Sequence, residues 1–390
     1  MDALLVVIKQ YRSFGVLALI ATVFLTPLAI RLANRLGVLD FPDRTLKPHA
    51  RPIPYLGGAA ICVAWALTLV AAIVLHVCDW HRLLPLLVGG VAMSTLGLLD
   101  DIRSVPPRVR LLVGAVVIAA VILATGAGRE LVDSALGGLA MVAADCGFPL
   151  PERLMAVLGV LAAPLSVLAG VFIVLGACNS ANLIDGLDGL CSGVTAIISL
   201  GFFLLATHLA VGGWSTQGDP VRLVLSIAMF GGALGFLPWN FNPARCFMGD
   251  AGSMLLGYNC GMLILLFAER GKFRWVLGAL MIFALPGFDT ALAMFRRWRA
   301  GRSIFAGDRS HFYDQLVQRG LSVRQTVLIC YVLAILYAAI GLLLTWVDAQ
   351  GPVIRTRYAI FLYAGVVLAT ALLAWKVGLT HPERRASKSP

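Results

Sequence analysis

A helix of about 20 apolar residues is long enough to cross the hydrocarbon core of a bilayer, and runs of this kind recur about eleven times in the chain. They fall near residues 15–33, 56–76, 83–99, 111–126, 158–178, 190–210, 222–238, 252–268, 275–295, 325–347 and 357–377. The fourth is short, and the fifth could begin earlier, around residue 153. Composition agrees: 59% of the residues are hydrophobic and 13% charged, against roughly 25% charged in a soluble domain. The reading is an all-α polytopic membrane protein with about 11 transmembrane helices. It forms a single integral membrane domain over residues 1–390, with 380–390 a disordered cytoplasmic tail. No small-residue cleavage site follows the first apolar run, so a removable signal peptide is not expected.

Charge sets the orientation. With the N-terminus outside, 19 of the 31 Lys and Arg residues fall on cytoplasmic segments and 11 on outer ones, with Lys376 inside the last span. That asymmetry favours an N-out, C-in topology, although Arg270, Lys272 and Arg274 run against it. The net charge of +11 is then topological, meeting anionic lipid rather than nucleic acid. The eight cysteines lie mostly in apolar stretches without paired ligand spacing, and read as small buried hydrophobes.

The acidic residues are distributed more sharply. Ten Asp fall on the cytoplasmic side (Asp40, Asp43, Asp100, Asp101, Asp185, Asp188, Asp250, Asp289, Asp308 and Asp314), joined there by a single Glu, Glu383. Several abut the ends of spans, where burying a carboxylate is expensive and ionisable residues usually mark function. Aspartates gathered on one face suggest a divalent-cation site with anionic ligands. Solvated loop charges would instead mix Asp with Glu on both faces.

Five motifs carry the candidate chemistry. In LGLLDDIRSVPPRVRLL the neighbouring carboxylates Asp100 and Asp101 repel, and need a metal, a cation or a raised pKa to coexist. Arg103, Arg108 and Arg110 are near, and a simple helix stop is the competing reading. In CNSANLIDGLDGL, Asn179, Asn182, Asp185 and Asp188 recur every three residues, which on a helix places them on one face. The bland alternative there is a Gly- and Asx-rich turn. In WNFNPARCFMGDAGSMLLGY, Asp250 precedes an apolar run whose first amides could face an anion, unless Asp250 or Ser253 merely caps the helix. In FDTALAMFRRWRAGRSIFAGDRSHFYDQLVQRG, Arg302, Arg309 and His311 suit a diphosphate or sugar. Arg296, Arg297 and Arg299 read as membrane-anchoring charge. The fifth, LDFPDRTLKPHARPIPYLGG, contributes Lys47 and His49.

In this order, over roughly residues 40–320, the motifs resemble the polyprenyl-phosphate N-acetylhexosamine-1-phosphate transferase family. The resemblance implies transfer of a sugar 1-phosphate, GlcNAc 1-phosphate foremost, from a UDP-sugar to undecaprenyl or another polyprenyl phosphate, with release of UMP. It implies Mg2+, with Mn2+ as the alternative ion, held by Asp250 and Asn182. Asp188 then falls at the uracil with Asp185 in the same pocket, and Asp100 and Asp101 near the phosphates as the catalytic pair. Lys47, Arg110, Asn179, Arg309 and His311 become substrate contacts, Arg110 standing where the family usually has Lys. The implied partners are a UDP-N-acetylhexosamine, polyprenyl phosphate, membrane lipid and a second copy in a homodimer. The implied place is the cytoplasmic face of a bacterial inner membrane, at the start of a lipid-linked envelope glycan.

The chain departs from the family at His311-Phe312-Tyr313-Asp314, where many bacterial members have a histidine-rich run. That leaves GalNAc or a deoxy-amino-sugar open and argues against the MurNAc-pentapeptide branch. A phosphate monoester has a second pKa of about 6, so at neutral pH the nucleophile is already largely dianionic. The Asp100–Asp101 pair is therefore expected to organise charge more than to remove a proton. A lipid-linked sugar transporter is the reading from another class, but no internal repeat supports it.

Overall fold

The computed structural model describes residues 2–42, 51–214, 219–268, 272–301, 303, 311–348, 351–352 and 354–377. Among them the chain is helical almost throughout. In order come α1 (Asp2–Leu36), α2 (Gly57–Val74), α3 (Trp80–Arg103), α4 (Pro107–Thr125) and α5 (Leu131–Asp145). Next are α6 (Glu152–Ile184), α7 (Leu190–Val211), α8 (Asp219–Asn240), α9 (Gly249–Leu266), α10 (Phe273–Ile282) and α11 (Ala284–Arg299). The last three are α12 (Phe312–Gln318), α13 (Val323–Thr345) and α14 (Thr356–Lys376). Strands β1 (Leu39–Asp40) and β2 (Ile53–Pro54) pair antiparallel, as do β3 (Val347–Asp348) and β4 (Gly351–Pro352).

Nine described helices are long and apolar enough to span a bilayer, and α10 with α11 would make a tenth. This polytopic helical architecture is the one expected, with three differences. The run near 275–295 is not one rod: α10 and α11 meet at a bend of 76°. The run near 252–268 is α9, which is buried at every position from Ala251 to Leu265 and is wrapped by α2, α3 and α6. It is therefore the axis of the bundle rather than a lipid-facing span. Helix α5 was not anticipated, being only 15 residues long, too short to cross. Its Asp145 pairs with Arg357 of α14 at 3.2 Å.

Large apolar side chains such as Phe24, Leu123, Val160 and Phe172 face outward, a surface suited to acyl chains rather than water. Inside the bundle, hydroxyls find partners within their own helices, as a membrane interior demands. Thr22 donates to the Ala18 carbonyl, Thr68 to Ala64 and Thr207 to Phe203, each at 2.7–2.8 Å. All eight cysteines are free thiols. A cluster of polar side chains bonded between helices lies at one end of the bundle, around the first turn of α9.

Candidate active site

The site is built on the start of α9. Gly249 turns the chain with φ +65°, a conformation that favours glycine, and the next two amides are left without helical partners. Both are taken by the last turn of α3. Asp101 Oδ1 accepts from the Asp250 amide at 2.9 Å and Oδ2 from the Ala251 amide at 3.2 Å. The two helices touch backbone to backbone, since a Cβ on Gly97 would lie 2.3 Å from the Asp250 carbonyl oxygen. The segment before α2 braces the same corner. Tyr55 donates its hydroxyl to the Asp101 carbonyl at 2.9 Å, and the Gly57 and Gly58 amides bond the Phe247 and Met248 carbonyls.

Asp100 solves its own electrostatic problem differently. Helix α3 ends at Ser104 in a left-handed turn, and Asp100 Oδ1 accepts from the Val105 amide at 2.7 Å. Pro106 and Pro107 then start α4, which carries Arg110 back over the carboxylates. One guanidinium nitrogen, Nη1, contacts Asp100 Oδ2 and also Asp250 Oδ2, the latter at 2.8 Å. The adjacent acids thus have separate partners: a cation for Asp100, helix amides for Asp101. The α9 amides expected to face an anionic ligand are engaged by Asp101.

The Asn/Asp motif divides between helix and turn. Asn179 and Asn182 lie on α6, but the helix stops at Ile184, so the four residues do not share one helical face. Gly186 and Gly189 favour the turn over a further helical turn. Asn182 donates to Asp250 Oδ1 at 2.6 Å and to Ser253 Oγ at 3.1 Å. Asn179 bonds the Leu175 carbonyl and lines, with Arg110, Asn182 and Met254, a small cleft beside Asp250. Asp188 Oδ2 accepts from Asn242 Nδ2 at 2.9 Å and the Ala244 amide at 3.0 Å, tying the turn to the loop before α9.

Asn240 fixes the same turn from beneath. Buried, it accepts from the Gly189 amide and Ser192 hydroxyl and donates to the Cys246 carbonyl. Asp185, by contrast, is held above the usual carboxylate range by its enclosure and by the negative charges of Asp250, Asp101 and Asp188. Among the described residues, Arg110 is the cation paired with Asp250.

His311 joins the site region through α12, whose Tyr313 hydroxyl donates to the Leu183 carbonyl at 2.6 Å, two residues before Asp185. The His311 ring is anchored to Asp289 of α11. Lys47 and Arg309, with His49, Arg302 and the tail, lie outside the described residues. Of α11's arginines, read as membrane-anchoring charge, Arg296 and Arg297 are buried in protein. Only Arg299 reaches outward, over the Trp375 ring at 5.5 Å. Sequence reasoning gave no role to Tyr55, Asn240 and Asn242, counted Asp289 only among the cytoplasmic aspartates, and met Tyr313 only as a departure from the histidine-rich run. Asp289, a carboxylate within an apolar run, carried the one usable signal.

The oxygens gathered here suit a hard cation and phosphate. Among the described residues, no three acidic, His or Cys side chains are grouped to enclose an ion by themselves. Substrate oxygens or water would have to complete any coordination shell.

Comparison with known proteins points the same way. The profile described as Glycosyl transferase family 4 matches residues 83–268, from α3 to the end of α9. A Bacillus subtilis (strain 168) protein named probable undecaprenyl-phosphate N-acetylglucosaminyl 1-phosphate transferase is 31% identical over 330 residues, covering 84% of this chain and 83% of its own. The decaprenyl-phosphate N-acetylglucosaminephosphotransferase of Mycolicibacterium smegmatis is 30% identical over 349 residues, 83% of this chain and 79% of that one. The undecaprenyl-phosphate alpha-N-acetylglucosaminyl 1-phosphate transferase of Escherichia coli K12 is 29% identical over 373 residues, 92% and 90% of the two chains.

Proposed function

This chain belongs to glycosyl transferase family 4, and on that premise we propose that it transfers GlcNAc 1-phosphate from UDP-GlcNAc to a polyprenyl phosphate and releases UMP. The observation that carries the reading is the convergence on Asp250. Arg110 from α4, Asn182 from α6 and Asp101 from α3 all bond it or its amide. Three sequence motifs thereby become one polar site at the end of an apolar bundle. That is what an enzyme joining a water-soluble nucleotide sugar to a membrane-bound acceptor requires.

In this reading an oxygen of the lipid phosphate attacks the β-phosphorus. The bond from that phosphorus to the bridging oxygen breaks, and UMP leaves with the electron pair. The acceptor phosphate is already mostly dianionic at neutral pH, so neither Asp100 nor Asp101 has to remove a proton. Arg110 neutralises phosphate charge as it shifts towards the leaving group. Asp185 and Asp188 line the nucleotide side, and Asn179 the cleft beside Arg110. Lys47 and Arg309 supply further charge to the substrate.

The donor set fits Mg2+, which binds through one or two carboxylates plus substrate phosphates and water. Asp250 would hold it, with Asn182 turning its amide oxygen inward, and the nearby carboxylates of Asp100 and Asp101 suit a cation. The ion supplies charge neutralisation along the diphosphate. The bias of Lys and Arg supports placing the site on the cytoplasmic side, and the bacterial relatives support a bacterial inner membrane.

The test is UMP release by purified protein given UDP-GlcNAc, undecaprenyl phosphate and Mg2+, beside Asp250→Ala. Release that needs lipid and metal and is lost in the variant is the expected result. Release only with another UDP-amino-sugar would move the specificity to the loop at His311. No release with any UDP-sugar, from folded protein, would overturn the reading.

A further inference from the structure

Asp289 is a carboxylate 1% exposed, in α11 beyond the 76° break, and the residues bonded around Asp250 do not include it. A buried carboxylate requires partners, and both of its partners come from one short segment. Oδ2 lies 2.7 Å from His311 Nδ1, and Oδ1 accepts from the Phe312 amide at 3.1 Å. The contact with the Phe312 amide also makes Asp289 the cap of α12, supplied from another helix.

The His311 ring is then fixed on a second side. It lies parallel to the Tyr313 ring, centroids 5.3 Å apart at 5°. Tyr313 is itself pinned by its hydroxyl to the Leu183 carbonyl. There is no slack at that contact, since a Cβ on Gly186 would lie 2.3 Å from the Tyr313 oxygen. The neighbouring Thr290 donates to Ser180 of α6 at 2.9 Å. Helix α11 therefore holds both α6, just before the Asp185–Asp188 turn, and the start of α12.

We propose that Asp289 is a positioning residue for the transfer reaction. By accepting through both oxygens it keeps a proton on His311 Nδ1, which leaves Nε2 as the nitrogen available to the substrate's diphosphate. A histidine nitrogen's role is set by the bond its other nitrogen makes. Here that bond comes from a side chain that is itself buried. What Nε2 faces rests on the transferase reading; the state of Nδ1 does not.

The experiment therefore has two arms on the full chain in lipid nanodiscs. The first is the nitrogen spectrum of protein labelled at its six histidines, with His311 assigned by its loss in His311→Ala. A proton-bearing Nδ1 that Asp289→Asn abolishes is expected; an unprotonated Nδ1 in the unaltered protein overturns the proposal. The second is a double-mutant cycle in UMP release. Asp289→Asn is expected to lower kcat by roughly tenfold to a hundredfold with KM for UDP-GlcNAc little changed, and Asp289→Glu to recover part of the loss. Asp289→Asn with His311→Ala is expected to be no slower than His311→Ala alone, because residues acting as a unit are not additive. Losses that multiply, or an Asp289→Asn protein with unaltered kcat, would overturn the proposal. No release by the unaltered protein would instead overturn the transferase reading, and the spectrum would still decide the state of Nδ1.

Discussion

The carboxylate of Asp101 closes the first turn of the helix that carries Asp250, accepting the Asp250 and Ala251 amides at 2.9 and 3.2 Å. The second member of the acidic pair is thus committed to holding another acid in place. A group engaged by two backbone amides is poorly disposed to act as a base. Asp101→Asn keeps one acceptor and is expected to retain kcat within about tenfold, below the ~10²–10⁴ that a general base contributes. Its kcat is expected to stay flat between about pH 7 and pH 9, above the acceptor's second pKa of about 6. Asp101→Ala removes both acceptors and should cost about 1–3 kcal/mol of stability, read as a lowered Tm. A steep pH profile in Asp101→Asn would contradict this account.

Arg110 reaches Asp100 and Asp250 through a single nitrogen. An ammonium can reproduce a one-nitrogen bridge, although not a two-nitrogen fork. Arg110→Lys is therefore expected to keep kcat/KM within about tenfold. Arg110→Gln leaves two partly buried carboxylates without their cation and should lose several kcal/mol of transition-state stabilisation, at least about a hundredfold in kcat/KM. Equal losses in the two variants would show that the guanidinium plane itself is required.

The contact of α3 with α9 has no room for a methyl group. Gly97→Ala places a Cβ 2.3 Å from the Asp250 carbonyl oxygen, and overpacking of this kind costs about 1–3 kcal/mol. Activity should fall with Tm, because Asp250 moves as the helices separate. Gly137→Ala in α5 meets nothing within 4 Å and gains helix propensity of up to ~1 kcal/mol, so its Tm should be unchanged or slightly raised. A normal Gly97→Ala enzyme would refute the backbone contact.

Enclosure and neighbouring negative charge hold the Asp185 carboxyl above the usual range. A carboxyl that binds its proton more tightly in the folded state stabilises the fold less as pH rises, starting near its unfolded pKa of about 4. Asp185→Asn removes that penalty. Its Tm should exceed that of the unaltered protein at pH 8 and lose the advantage near pH 4, while nucleotide binding weakens. Added Mg2+ should narrow the gap by stabilising the unaltered protein. A Tm difference independent of pH would sink the electrostatic explanation.

Much of this was legible in the sequence because a bilayer enforces simple rules. Apolar runs gave the helices, and aspartates stranded at their ends gave Asp100, Asp101, Asp185, Asp188 and Asp250. Spacing failed where the backbone changed state. Asn179 to Asp188 reads as one helical face, yet Gly186 and Gly189 end the helix in the middle of the motif. Burial was equally hidden at Arg296 and Arg297, since charge near a helix end looks the same whether it meets lipid headgroups or protein. The partners Asn240, Tyr55 and Tyr313 were invisible for another reason. Each acts through a single contact distant in sequence, and no local pattern encodes that.

The bond between Asp101 and the Asp250 amide spans 149 residues, which has a bearing on how the protein is made. At a synthesis rate of about 5–20 residues per second, roughly 7–30 s separate the appearance of the two partners. Throughout that interval the two amides that Asp101 accepts do not yet exist, so the polar site around Asp250 cannot assemble. The candidate site is in this sense a late product of biogenesis. It comes into being only once α9 has joined α2, α3 and α6, and the contact of His311 with Asp289 follows later still.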